Sequence, residues 1–154
     1  MHSSLREQYG NRVRVRVCGL LWDHGKLLMV NHKGLADGDF WAPPGGGIEF
    51  GEHTENRLQQ EFEEETGLVV TVDRFLFTCE FVHGPLHAIE LFFEVKLRGG
   101  SLKVGDDPEL SIITDVKFMS SDEVMAIPKD NRHGIFQLVS TTEDLKTLTG
   151  FFRI

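Results

Sequence analysis

Cysteine is nearly absent from this chain. Cys18 and Cys79 are the only two in 154 residues, and both sit inside apolar, strand-like runs. That scarcity excludes a disulfide framework and leaves two reduced core thiols as the expectation. Long hydrophobic runs are missing too: none approaches the about 18 consecutive apolar residues that a membrane span needs. The N-terminal MHSSLREQYGNRVRVRV has no apolar segment of the secretory kind, so the expected setting is cytoplasmic, with no membrane partner. Basic residues are scarce: 16 Lys and Arg stand against 24 Asp and Glu, for a formal net charge of −8. Such a balance argues against a broad electrostatic footprint for DNA or RNA. An anionic small molecule would have to be met by a metal ion or by a few local cations. No internal repeat, linker or low-complexity segment divides the chain, and its length suits a single domain with a proper core.

What is present alternates strand and helix signals. Residues 1–11 are polar and are expected to form a loose leader. Residues 12–22 (RVRVRVCGLLW) begin with strict alternation and end apolar, which predicts a strand that becomes buried. A turn at Asp23, His24 and Gly25 returns the chain into KLLMVN, a second strand. Residues 41–47 (WAPPGGG) are expected to be irregular, because Pro43 and Pro44 donate no hydrogen bond and three glycines follow. Residues 48–50 read as a short strand. A helix is predicted over residues 54–66, with Thr54 as its N-cap and Gly67 just past its end. Strands are predicted over residues 69–82, 87–97 and 111–119, followed by a short helix capped by Ser120 or Ser121 and a mixed tail. The fold class is α/β of the α+β type, with one central acidic helix.

That helix is the most informative element. It ends in Glu61, Glu63, Glu64 and Glu65. Like charges at i,i+3 and i,i+4 repel, and anions in a last turn oppose the helix macrodipole. A bound cation would offset both. On a helical wheel Leu58 and Phe62 anchor one side in the core, Glu61 and Glu65 sit at its margin, and Glu64 lies on the same edge. Glu63 points elsewhere, towards solvent. Oxygen donors without a Cys or paired-His spacing suit a hard cation such as Mg²⁺ or Mn²⁺ over zinc. Gly45, Gly46 and Gly47 fit that picture, since residues without side chains allow backbone to approach a ligand or metal closely.

Together these halves resemble the Nudix box, G-x5-E-x7-R-E-U-x-E-E-x-G-U with U apolar. The matching residues are Gly46, Glu52, Glu61, Phe62, Glu64, Glu65, Gly67 and Leu68, with Gln60 in place of the arginine. The preceding WAPPGGGIEFGE is similar to the family's W-x-x-P-G-G-x-x-E-x-G-E lead-in, through Trp41, Pro44, Gly45, Gly46, Glu49, Gly51 and Glu52. The resemblance implies the Nudix fold, a mixed sheet sandwiched between helices, over one domain of residues 1–154. It implies Mg²⁺ held by Glu61, Glu64 and Glu65, often with the Gly46 carbonyl, and catalysis by the same three glutamates. Trp41, Gly45, Gly46, Gly47 and Glu49 become the expected substrate-binding residues.

The implied reaction is hydrolysis of the diphosphate linkage of a nucleoside diphosphate derivative, such as a nucleotide sugar like ADP-ribose, or of a nucleoside triphosphate. Glu64 or Glu65 would accept the proton of the attacking water. The partner is then a small-molecule nucleotide, and a homodimer stays open. The alternative is a Nudix-fold nucleotide-binding or regulatory module without turnover, which only Gln60 favours. Arg57, four residues before Glu61, is a candidate to replace the missing guanidinium. Asp106, Asp107 and Glu109 could supply a further acid, with Glu80, Glu90 and Glu94 read as structural. His83 and His87 read as strand-end residues; Arg12, Arg14 and Arg16 alternate on one strand face and could meet substrate phosphates, with the exposed face of an edge strand as the preferred reading.

Overall fold

The computed structural model describes residues 7, 9–33, 38–105 and 113–154. The first strand, β1 (Arg12–Leu20), is followed by β2 (Trp22–Asp23), β3 (Lys26–His32), β4 (Trp41–Ala42) and β5 (Gly45–Gly47). Helix α1 (Thr54–Thr66) leads into the long strands β6 (Leu68–His83) and β7 (Leu86–Gly100). Then come β8 (Ile113–Met119), the short helix α2 (Ser121–Ala126), three 3₁₀ turns and β9 (Phe151–Arg153). A five-stranded sheet runs β5-β1-β7-β6-β9. It is mixed: β1 lies parallel to β7 and β6 parallel to β9, while the other pairs are antiparallel. In the second sheet β2, β4 and β8 all pair antiparallel with β3.

Two buried clusters fill the space between these layers. One joins Val17, Leu21, Leu28 and Val30 to Leu58 and Phe62, and so seats α1. The other gathers Leu20, Leu27, Phe77 and Phe92 with Val124 of α2 and Ile135, Phe136 and Leu145 of the 3₁₀ turns. Cys18 and Cys79 are both free and buried, as expected. Gly19 has a reason to be glycine: a Cβ there would collide with the ring of Phe62, so its absence lets α1 close onto β1.

Helix α1 has the predicted bounds, and Gly67 closes it in the left-handed region at φ 76°. Its N-cap is His53, not Thr54, and carries no side-chain cap bond. The short helix after β8 is held by a reciprocal pair between Ser120 and Glu123. Three further expectations are corrected. Residues 41–47 are not wholly irregular, because Trp41–Ala42 pairs with β3 and Gly45–Gly47 pairs with β1 on either side of the two prolines. Residues 48–50 form no strand, since Ile48 makes the last backbone bond to β1, at Val15, and the chain then turns into α1. Strand β1 is not an edge, because β5 and β7 flank it. No helix among the described residues is long and apolar enough to cross a membrane.

Candidate active site

The acidic edge of α1 meets the glycine strand β5. Leu58 and Phe62 are fully buried and fix the helix, which places Glu61 and Glu65 at 6% and 3% exposure beside that strand. Glu63 is exposed, as the wheel requires. Glu65 Oε1 accepts from the backbone N–H of Gly45 at 2.9 Å, and its Oε2 lies 3.4 Å from Nε2 of His32. A Cβ on Gly46 would strike the Glu61 carboxylate, so this glycine makes room for it. Arg57 donates to Glu61 Oε1 and reaches Glu52 at 3.6 Å. Burial first, and the Glu65 charge second, push the Glu61 carboxyl up to about 8, with Arg57 pulling against them.

Glu64 accepts from Gln60 Nε2 at 2.8 Å through Oε1, while its buried Oε2 has no partner. Among the described residues no three His, Cys, Asp or Glu side chains already stand together as a metal cage. In donor chemistry, however, the edge fits a hard cation: three carboxylates, one with an orphaned oxygen, crowded enough that one is driven towards its proton.

The end of α1 is tied down by a segment that carried no sequence signal. Ser101, Lys103 and Gly105 donate their backbone N–H groups to the carbonyls of Gly67, Thr66 and Glu65. These bonds satisfy carbonyls that a helix end otherwise leaves without partners. A Cβ on Gly105 would overlap the Glu64 carbonyl.

Beside the acidic edge opens a cavity of about 440 Å³. Glu61, Glu65 and Gly45, Gly46 and Gly47 line it, together with Arg14, Arg16, Arg57, Lys129 and Arg132. Its floor carries Glu90, which is 2% exposed. Glu90 accepts from Arg16 through Oε2 and stands 2.9 Å from Nε2 of His133 through Oε1. His133 Nδ1 accepts from the Ile135 N–H at 3.1 Å, so its proton sits on Nε2 and points at Glu90. Burial alone would raise the Glu90 carboxyl, but His133 and then Arg16 outweigh it and hold it down at about 2. Burial also pushes the neighbouring Cys18 thiol well up, with Glu90 adding to it.

Of the residues expected at the site, the structure brings together Glu61, Glu65 and the three glycines. Glu64 sits on the same helix edge but off the cavity wall. Trp41 is part of the core cluster and Glu49 is exposed; neither lines the cavity. Phe40 does line it, as does His87, paired with Glu80 at 3.0 Å. Glu94 is engaged by Arg74. Asp106, Asp107 and Glu109 lie outside the described residues. Sequence reading preferred an exposed strand face for Arg14 and Arg16 over contact with substrate phosphates, took Glu90 as structural and did not single out His133. The parallel pairing of β1 with β7 sets Arg16 opposite Glu90, and His133 reaches the same carboxylate from the segment before a 3₁₀ turn, where its N–H bonds to the Trp41 carbonyl.

Comparison with known proteins gives one consistent result. A NUDIX domain model matches residues 10–138. An ADP-ribose pyrophosphatase of Methanocaldococcus jannaschii is 34% identical over 95 residues, 60% of this chain and 56% of that protein. A nucleoside triphosphatase NudI of Salmonella heidelberg is 42% identical over 59 residues, 36% of this chain and 41% of that one. The chain thus spans about half the length of the relatives it matches. Among solved structures, a NUDIX hydrolase from Nitrosomonas europaea superposes with a TM-score of 0.74 at 18% identity, over 89% of this chain and 93% of that one.

Proposed function

The chain belongs to the Nudix family, and from that premise we propose that it hydrolyses the diphosphate linkage of a small nucleoside diphosphate derivative with a divalent cation. The observation that carries this reading is the shared cavity: two buried glutamates of α1 and the glycine strand line the same space as a set of cations. Glu61, Glu64 and Glu65 would hold Mg²⁺ or Mn²⁺. When bound, the ion supplies charge neutralisation at the phosphate oxygens and a more acidic water. Glu65 is oriented by the Gly45 N–H and His32, so both its oxygens are engaged. Glu64 keeps one oxygen free and is the better candidate to accept the proton of the attacking water. The names of the two relatives point to ADP-ribose and nucleoside triphosphates as the first substrates to try.

The test is a panel of ADP-ribose, nucleotide sugars, nucleoside triphosphates and dinucleoside polyphosphates, with and without Mg²⁺, the products resolved by chromatography. Metal-dependent cleavage at a phosphorus–oxygen bond of the diphosphate is expected for at least one class. Tight nucleotide binding with no turnover on any member would replace the enzyme with a binding module. In parallel, Glu64→Gln and Glu65→Gln should each lose most of the activity on the best substrate. Parent rates in both variants would remove these residues from catalysis.

A further inference from the structure

The two arginines on the cavity wall are not equivalent. Strand β1 presents Arg14 and Arg16 to the same side, opposite Ala88 and Glu90 of β7. Arg16 is therefore matched by a carboxylate, and Arg14 by a methyl group. Among the described residues no carboxylate stands within ion-pair distance of Arg14. Glu49 and Glu90 act on it only from further away. Its nearest charged neighbours on the strand, Arg12 and Arg16, are of like sign. Burial first and these two arginines next lower it to about 10. A half-buried guanidinium without a matched anion among the described residues is a costly feature.

It is nevertheless held firmly. The guanidinium carbon sits 3.6 Å from the centroid of the Tyr9 ring, and Tyr9 is itself 7% exposed. Its Nη2 occupies the space that a side chain on residue 47 would fill, since a Cβ on Gly47 would lie 2.7 Å from it. Stacking on a ring and a fitted glycine fix the group without using up its N–H donors.

Its position relative to the glutamates gives it a role. Gly46 abuts Glu61 and Gly47 abuts Arg14, so consecutive residues of an edge strand separate the acidic edge from the guanidinium. Successive strand residues face opposite sides, yet Glu61 and Arg14 line one cavity. A diphosphate laid over the edge of β5 would meet the carboxylate side with one phosphate and Arg14 with the other.

We propose that Arg14, clamped between Tyr9 and Gly47, is the anion subsite of this cavity and binds the phosphate that lies away from the glutamates. The assignment of that phosphate to a diphosphate substrate rests on the hydrolase reading above, but binding itself does not require turnover. Arg14 then selects for ligands carrying a second phosphate and contributes nothing to the nucleoside.

Equilibrium binding of ADP and of adenosine to the full chain in EDTA tests this, with the parent, Arg14→Met and Gly47→Ala compared. Methionine keeps an unbranched side chain against Tyr9, and thermal melts confirm folding. Arg14→Met should weaken ADP by about tenfold or more while leaving adenosine within about twofold of the parent. Gly47→Ala displaces the guanidinium tip, so it should weaken ADP less and add little on top of Arg14→Met. ADP affinity of Arg14→Met within about twofold of the parent would overturn the proposal. So would equal losses for ADP and adenosine, which a merely structural arginine would give, or a parent that binds no ADP. Because no metal is present, absence of turnover in the substrate panel alongside Arg14-dependent ADP binding would sink the hydrolase reading and leave this one standing.

Discussion

Gln60 stands where the Nudix box has arginine, and the structure shows a guanidinium arriving from one turn earlier. Arg57 contacts Glu61 and approaches Glu52, with only 11% of its side chain exposed. Removing it leaves Glu61 buried beside Glu65 with only the Arg16 charge acting to offset them, and losing one member of a buried pair is damaging. Arg57→Ala should therefore destabilise the protein in EDTA by roughly 2 kcal/mol or more. Saturating Mg²⁺ should narrow that gap, because a bound cation takes over the same compensation. Urea denaturation with and without Mg²⁺ reads both quantities, and an equal loss in the two conditions would detach Arg57 from the proposed cation site. Glu90 makes a second prediction. Its folded value, about 2, lies below the ordinary 4.5. Its stabilisation is thus present above about pH 4.5 and fades as pH falls towards 2. Glu90→Gln should be less stable than the parent by about 3 kcal/mol near pH 7, the two converging in acid. A gap that does not shrink with acid would mean that Glu90 acts through packing alone. Arg57 was legible in the sequence because its partner lies four residues away on one helix. The role of Glu90 was not, because its partners Arg16 and His133 are 74 and 43 residues distant.

At the level of elements, what was readable is what local spacing determines. The apolar pair Leu58 and Phe62, the acidic margin and the closing glycine specify α1 and its orientation without help from the rest of the chain. Strand β5 was missed because two prolines and three glycines lack strand character, and only the partner strand β1 imposes it. The segment at residues 101–105 was missed for a similar reason: a run of N–H groups directed at a helix end has no side-chain signature. It matters because Gly105 touches the backbone of Glu64 and Glu65. Gly105→Ala would force the segment off the helix end, so it should destabilise the protein by roughly 1–3 kcal/mol. It should also lower kcat of the proposed hydrolysis more than it raises KM, since the carboxylates move and the cation wall does not. Parent stability in the alanine variant would show that the segment yields freely and does not position the glutamates.

Across the whole molecule the charge is divided. A chain of net charge −8 gathers Arg14, Arg16, Arg57, Lys129 and Arg132 around one cavity. The acidic edge comes from the middle of the sequence. The opposite wall comes from β1, β7 and residues 129–137, and is closed by Ile154. Such a wall depends on pairings between distant strands, so no window of sequence contains it. The closing side also lies beyond residue 138, where the family match ends. Strand β9 holds it in place: it runs parallel to β6, Phe152 meets Phe77 edge-on at 6.3 Å, and the Ile154 N–H bonds to the Glu80 carbonyl. Ile154 in turn packs against Gly134, next to His133. Removing the Phe152 ring should therefore do two separable things. Phe152→Ala should lower stability by roughly 2 kcal/mol, less than a fully buried ring would give. It should also raise KM several-fold with kcat little changed, because the wall that loosens faces the ligand and not the glutamates. Denaturation and steady-state kinetics on the best substrate separate the two effects. A fall in stability with an unchanged KM would mean that β9 braces the sheet without shaping the cavity.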